Sequence, residues 1–403
     1  MDKKTKENNI LKTNFKLSEV IIIVLITIVL GIVIGYSVTN KVSKDTKKIT
    51  TDKNLKEFID TYNDVVENYY EEVDKNKLIS SAINGMLSEL DDPYSMYMDE
   101  NTTEDFNDRL YGNYSGIGAE ISTNENNEVY IYNLFENSPA KKVGLKPGDI
   151  ITKVNDESVE GKTTSYISNA IKGIEGSEVN VTILRDNEEK TYKVTRGNIT
   201  INSVLYEVLE KNNQKVGLIN INIFAANTYN QFKSAIEELE NQGVNKIIID
   251  VRYNSGGYLD SVTDIMKLFL EKGKTIYQLD EKNKKTKVKD DTKEKRDLDV
   301  IVLINEYSAS ASEILAASFQ ESYGAKIVGV NSYGKGTVQQ TKELNTGGML
   351  KYTTQKWLTP KGIWINDIGV TPDEKIEQSE EYYTDATNEK DTQLQKALEI
   401  LTK

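Results

Sequence analysis

The sequence predicts a multidomain α/β chain: an N-terminal transmembrane helix, a small helical region, a compact β-domain, and an α/β core with a mostly parallel sheet. Three observations predict it. An uncharged apolar run lies near the N-terminus. Short alternating strands and glycine-bearing turns fill the middle. Continuous apolar strands alternate with amphipathic helices in the second half. The divisions fall at 1–16 (cytoplasmic tail), 17–39 (anchor), 40–53 (linker), 54–108 (helical region), 109–197 (β-domain), 198–375 (α/β core) and 376–403 (C-terminal helical segment).

Val20 to Asn40 contains no charged residue, and Val20–Leu30 is almost purely β-branched or leucine. At about 1.5 Å per residue such a helix crosses a hydrocarbon core of roughly 30 Å. A cleaved signal peptide is the competing reading, but no A-x-A site follows the run, which favours a retained anchor. Lys3, Lys4, Lys6, Lys12 and Lys16 precede it, and Lys41, Lys44, Lys47 and Lys48 follow. The positive-inside count is nearly balanced. The short tail is placed inside and the large C-terminal portion outside, so the expected location is the cell membrane with an extracytoplasmic body.

Leu55, Phe58, Ile59 and Tyr62, then Leu78, Ile79, Ile83, Met86, Leu87 and Leu90, recur at helical spacing. Asp91-Asp-Pro-Tyr94 breaks that pattern. Strands fit Val129–Asn133, Val179–Leu184 and Lys190–Val194, and a helix fits Ser165–Lys172. With Ser138-Pro-Ala, Gly144-Leu and Pro147-Gly-Asp-Ile-Ile151 between them, this stretch resembles a PDZ domain. The resemblance implies capture of a peptide C-terminus by strand addition, with backbone N–H groups of the loop Tyr114-Ser115-Gly116-Ile117-Gly118 holding the carboxylate. Lys172, ending the groove helix, is a candidate polar contact. A purely structural β-domain is the bland alternative.

From Asn198 onward strands at Val216–Ile221, Lys246–Arg252, Val300–Ile304 and Lys326–Val330 alternate with helices marked by Phe232, Ala235, Ile236 and Leu239, and by Val262, Ile265, Met266 and Leu268. Lys282–Arg296 is a charged excursion, read as an exposed hairpin or loop. Asp391–Leu401 reads as a closing helix.

The chain has 403 residues, 50 Lys plus Arg, 63 Asp plus Glu, and a net charge of −13. Such acidity argues against a nucleic-acid partner. There is no cysteine, which suits an extracytoplasmic protein without disulfides and excludes thiol catalysis. There is no histidine, so a Ser-His-Asp triad is impossible. A nucleophilic serine then needs another neutral-pH base, and lysine remains.

Ser310 follows the strand Val300–Ile304 and opens a helix with Ile314, Leu315 and Phe319. At such a corner the free N–H groups of the helix start face developing negative charge, and Ala311 N–H is one oxyanion donor. Gly256 or Gly257, in Asp250-Val-Arg-Tyr-Asn-Ser-Gly-Gly257, would supply the second. Ser308 and Ser312 read as a cap and a packed hydroxyl. Lys335 lies in Tyr333-Gly-Lys-Gly-Thr-Val-Gln-Gln340. Its ordinary pKa of about 10.4 must fall by roughly three units, a cost of about 4 kcal/mol, for it to act as a base. Gln339 could orient its amine without restoring the charge.

Ser308-Ala-Ser-Ala-Ser-Glu-Ile314, Gly334-Lys-Gly-Thr-Val-Gln339, Leu90-Asp-Asp-Pro-Tyr-Ser95, Arg252-Tyr-Asn-Ser-Gly-Gly257 and Leu358-Thr-Pro-Lys-Gly362 resemble motifs of the C-terminal processing peptidases, the tail-specific Ser-Lys proteases that carry a PDZ domain. The resemblance spans about Leu55 to Leu401. It implies Ser310 as nucleophile, Lys335 as base and Gln339 as its orienting partner, with no metal or cofactor. It further implies a PDZ domain that gates the protease site, and terminal helices that join subunits into a homodimer. Tyr307 departs from the family, which often has a small residue there, and is expected to narrow the pocket mouth. The expected function is a membrane-anchored serine endopeptidase that recognises protein C-termini. A catalytically inactive, membrane-tethered PDZ scaffold is the alternative.

Overall fold

A computed structural model of the chain describes residues 52–282 and 284–403. The expected anchor at 17–39 lies outside the described residues. Among the described residues, no helix is long and apolar enough to cross a membrane. The chain divides into two units between Ala82 and Ile83. The first unit holds α1 (Lys53–Asn68), N-capped by the Asp52 side chain, and the start of α2 (Lys75–Ser88).

In the second unit, the chain turns at Asp91–Ser95, where the Ser95 hydroxyl donates to Asp92 at 2.6 Å. It continues as β1 (Met96–Met98) and α3 (Glu100–Tyr111). The region read as helical therefore contains a strand. Three residues show too little alternation to announce one, and β1 is held by pairing with a segment more than 200 positions away.

The β-domain comprises β2 (Asn113–Gly116), β3 (Ala119–Thr123), β4 (Val129–Leu134), α4 (Pro139–Val143), β5 (Ile150–Val154), β6 (Glu157–Ser158), α5 (Thr164–Ile171), β7 (Glu178–Arg185), β8 (Glu188–Thr195) and β9 (Gly197–Thr200). The main sheet runs β3-β4-β5-β7-β8, and β2 pairs with β9. Ser138 caps α4, with Pro139 at the helix start where its missing N–H costs nothing. Ile131, Ile167, Val181 and Ile183 are fully buried in this domain's core. Because β3 is an edge strand, its outer side stays open beside α5.

The α/β core follows as β10 (Val204–Lys211), β11 (Gln214–Ile221), α6 (Thr228–Asn241), β12 (Lys246–Asp250), α7 (Leu259–Lys267), β13 (Thr275–Glu281), β14 (Lys284–Lys289), β15 (Asp299–Ile304), α8 (Ala311–Ser318), β16 (Lys326–Gly329), β17 (Thr337–Glu343), β18 (Met349–Leu358), β19 (Glu374–Lys375), α9 (Glu380–Thr384) and α10 (Thr392–Leu401). Its sheet has the order β10-β11-β12-β15-β16-β19, and only the β10–β11 pair is antiparallel. Both faces are covered. Residues of α6, α7 and α8 pack with Ile247, Ile249 and Val302, while Leu394, Ala397 and Leu398 of α10 pack with Ile248, Ile301 and Leu303. Two buried faces explain why these strands read as continuous apolar runs.

The charged excursion is the β13–β14 hairpin. It belongs to a second, antiparallel sheet, β1-β18-β13-β14 with β17 on β18, which local patterning did not announce. A buried ion pair fastens the C-terminal helix to the core. Arg252, just past β12, donates to both Asp391 oxygens at 2.9 and 2.7 Å, and Asp391 also caps α10.

Candidate active site

Three loops leave the carboxyl ends of adjacent parallel strands and meet. The loop after β12 carries Gly256 and Gly257, that after β15 carries Ser310, and that after β16 carries Lys335. Open α/β sheets place ligands at this end. Ser310, Ala311, Gly256, Gly257, Lys335 and Gln339 all line one cavity of about 1170 Å³.

Ser310 sits at φ 55°, ψ −112°, a left-handed conformation that a side chain seldom adopts. Holding it there costs on the order of 1–3 kcal/mol. Its N–H donates to the Glu313 carboxylate at 2.7 Å. That carboxylate is fully buried. It also accepts from the Ser332 hydroxyl at 2.7 Å, Gly334 N–H at 2.6 Å and Lys335 N–H at 2.9 Å. One buried acid thus ties the backbone of the serine to the backbone of the lysine. Burial outweighs these hydrogen bonds and holds its pKa above the ordinary range. Sequence reading quoted Glu313 within a motif but gave it no role. The signal was present, since Ser310-x-x-Glu313 is the spacing of a capping box.

The two glycines differ. Gly256 N–H donates to the Asn254 side chain at 2.9 Å. Gly257 N–H and Ala311 N–H have no partner among the described residues. A Cβ at Gly257, φ 139°, would collide with the Phe224 carbonyl, and one at Gly256 would press on Ser310 and Ala311. Asn254, completely buried, donates to the Ile221 carbonyl at 2.7 Å and receives Ala309 N–H, so the glycine loop and the serine turn are fixed together. Ser308 and Ser312 are buried, and each hydroxyl donates to a backbone carbonyl at 2.8 Å.

The lysine loop is pinned along its length. Lys335 C=O accepts the Trp357 indole N–H at 2.7 Å, and Gly336 C=O accepts that of Trp364 at 2.8 Å. The Lys335 amine has no hydrogen-bonding or ion-pairing partner among the described residues and stands 4.3 Å from the Tyr94 ring centroid. Burial, reinforced by the positive charge of Lys351, pushes its pKa down to about 8, against the pull of Asp92 and Glu313. Burial raises the Tyr94 phenol to about 12, so it stays neutral beside the amine. Gln339 is brought to the same wall but does not bond Lys335. Its amide donates to Thr337 and Thr353, each at 3.0 Å. Thr353 N–H in turn donates to Ser95, which ties the turn bearing Tyr94 to the same strand.

Tyr94 and Lys351 are site residues that sequence reading missed. Lys351 lines the cavity and lies 5.4 Å from the Phe106 ring centroid. Burial lowers its pKa, opposed by Asp92. Two like charges in one poorly solvated cavity disfavour each other. Lys351→Met is therefore expected to raise the Lys335 pKa, moving the pH-activity midpoint to higher pH and slowing turnover a few-fold at pH 7. A midpoint that stays or moves to lower pH in peptide kinetics would refute that coupling.

In the β-domain, Tyr114, Gly116, Ile117, Gly118 and Lys172 line a second groove, between β3 and α5. Ile117 and Gly118 N–H have no partner among the described residues. Ser115 does not line the groove, and its hydroxyl is buried without a partner. The Lys172 amine is engaged with Asp105 at 2.6 Å and Asp108 at 2.7 Å.

The pattern of peptidase family S41 matches residues 215–376, that of a PDZ domain matches 115–195, and that of the activating protease CtpB N-terminal domain matches 35–102. Fold and site together define a serine peptidase with a PDZ domain. A "Probable CtpA-like serine protease" of Staphylococcus aureus (strain COL) is 38% identical over 365 residues, covering 90% of this chain and 72% of that protein. A counterpart in Staphylococcus saprophyticus is 36% identical over 382 residues, covering 94% and 77%. The fold is shared with the photosystem II D1 C-terminal processing protease, with a TM-score of 0.50 and 24% identity, covering 88% of this chain and 93% of that one. The chain belongs to peptidase family S41, among its CtpA-like serine proteases.

Proposed function

We propose that this protein is a membrane-anchored endopeptidase that binds substrate C-termini in its PDZ groove and cleaves by a Ser-Lys acyl-enzyme mechanism. One observation carries the mechanism: the buried Glu313 carboxylate bonds the backbones of both Ser310 and Lys335, beside a desolvated amine.

In this mechanism the neutral Lys335 amine leaves the Tyr94 ring face and takes the Ser310 hydroxyl proton as Oγ attacks the peptide carbonyl. The new oxyanion accepts from Ala311 and Gly257 N–H. The Lys335 ammonium then protonates the departing amine, and water hydrolyses the ester by the reverse sequence. Gln339 reaches the amine after exchanging its threonine partners. Such contacts commonly tighten only when substrate binds.

The PDZ reading rests on the open β3 edge and on the unpartnered N–H groups of Ile117 and Gly118. The uncharged run within 17–39 supports the anchor and an extracytoplasmic body. Leu55, Phe58, Ile59 and Val65, exposed at helical spacing on α1, support a homodimer. Mass spectrometry after treatment with a peptidyl phosphonate tests the nucleophile. One adduct on the Ser310 peptide, with concurrent loss of proteolysis, is expected. Inhibition with the adduct on another residue would overturn the assignment.

A further inference from the structure

Tyr253 and Tyr307 belong to the two loops that carry Gly257 and Ser310, and both line the same cavity. Their rings stack with centroids 5.5 Å apart and planes inclined by 20°. A single buried side chain sets both in place. Asn305 Oδ1 accepts Tyr253 N–H at 3.0 Å and Tyr307 N–H at 3.2 Å. The pair is built against two costs. Tyr253 is held at φ 59°, a left-handed conformation unfavourable to a bulky residue. Both rings remain over half exposed, 53% and 57%. The rings pack on each other and the Tyr253 phenol bonds Tyr383, yet strained backbone that holds a half-exposed aromatic pair at a cavity wall also suits a ligand-facing role.

The charged groups nearby do not complement a charged ligand. Glu306 neighbours Tyr307, Lys375 and Glu377 of the adjacent groove pair with each other at 3.6 Å, Arg252 neighbours Tyr253 but is consumed by Asp250 and Asp391, and the Tyr253 phenol, raised to about 12 by partial burial and by its hydrogen bond to Tyr383, stays neutral. The rings themselves offer a neutral, aromatic surface. Tyr253 also walls the adjacent groove holding Tyr383 and Asn331, so an extended chain can run past the pair.

We infer that the stacked Tyr253–Tyr307 pair is a substrate subsite selecting an aromatic or large aliphatic side chain next to the scissile bond. The occupant is an extended polypeptide whose side chain packs on the rings while its carbonyl faces Gly257 and Ala311. This deepens the protease reading and rests on Ser310 as its nucleophile. The outer face and edges of the stacked rings cover an apolar side chain without hydrogen-bonding it, so the discrimination is moderate, about tenfold between a fitting and a missing apolar group.

The test uses the full chain and one peptide with Phe, Leu, Ser or Glu placed in turn at each position flanking the bond cleaved. At one position kcat/KM is expected to favour Phe and Leu over Ser and Glu. Tyr307→Ala should reduce the Phe-over-Ser ratio about tenfold, mainly through KM, while Tyr307→Phe keeps it. Tyr253→Gly suits the positive φ, so it should fold and also lose the preference. If neither Tyr307→Ala nor Tyr253→Gly changes the ratio at any position, the subsite is overturned. A Ser310→Ala control separates the two ideas, because cleavage surviving in that variant removes the nucleophile and leaves the ratios to judge the tyrosines.

Discussion

Ser310→Ala and Lys335→Met are each expected to lower kcat on an unfolded protein substrate by roughly 10⁴-fold or more, and the double variant is expected to lose no more than either alone. Non-additivity follows from shared work. Without the hydroxyl the amine has no proton to accept, and without the amine the hydroxyl stays protonated. The pH profile carries the same logic. The Lys335 pKa is depressed by burial, with Lys351 adding to it, to about 8. The amine is a base only above that value, so activity rises with pH through about 8 and then levels. Lys335→Met also removes a cation from a site that disfavours it. The folded state binds that proton less well than the unfolded chain, so the substitution leaves stability at pH 7 unchanged or higher. Thermal melts therefore distinguish loss of chemistry from loss of fold. A flat profile from roughly pH 5 to 9 would exclude a lysine base.

Glu313→Gln is the second large effect, and it reaches stability as well as rate. The carboxylate accepts from four donors on two loops. An amide keeps one acceptor oxygen and turns two N–H groups toward donors. At about 1–3 kcal/mol for each buried donor left unpaired, the loss is roughly 3 kcal/mol or more. The serine turn and lysine loop are then expected to separate, and kcat to fall by about 10²-fold, the scale expected of an ångström-sized misplacement. One readout separates positioning from a general loosening. The Glu313 carboxylate raises the Lys335 pKa, so in the residual activity the pH midpoint is expected to move to lower pH, opposite to Lys351→Met. A variant with wild-type melting temperature and kcat would refute the bracket.

Much of the fold was legible locally. Apolar runs in β11, β12, β15 and β16 announced strands buried on both faces, and Asp391–Leu401 announced the last helix. The second sheet was not legible. β1 and β18 pair Met96 with Lys351, and no local pattern encodes a partner so distant. Tyr94 and Lys351 therefore carried no readable role, although the turn containing Tyr94 was noticed. Tyr307 was noticed as a departure, but its stacking on Tyr253 depends on Asn305 holding two loops.

The sequence by itself determined what chemistry is available. With no histidine and no cysteine, a serine nucleophile is left with lysine as its neutral-pH base, and hydrophobic period with turn residues determined the layers that could present them. Only the tertiary structure decided which glycine keeps a free N–H, that Glu313 joins serine to lysine, and that Lys335 rests on Tyr94 rather than on Gln339. The reason is physical. Period, capping and turn chemistry act over a few residues, whereas desolvation and hydrogen-bond partnership are set by atoms that folding brings from distant parts of the chain.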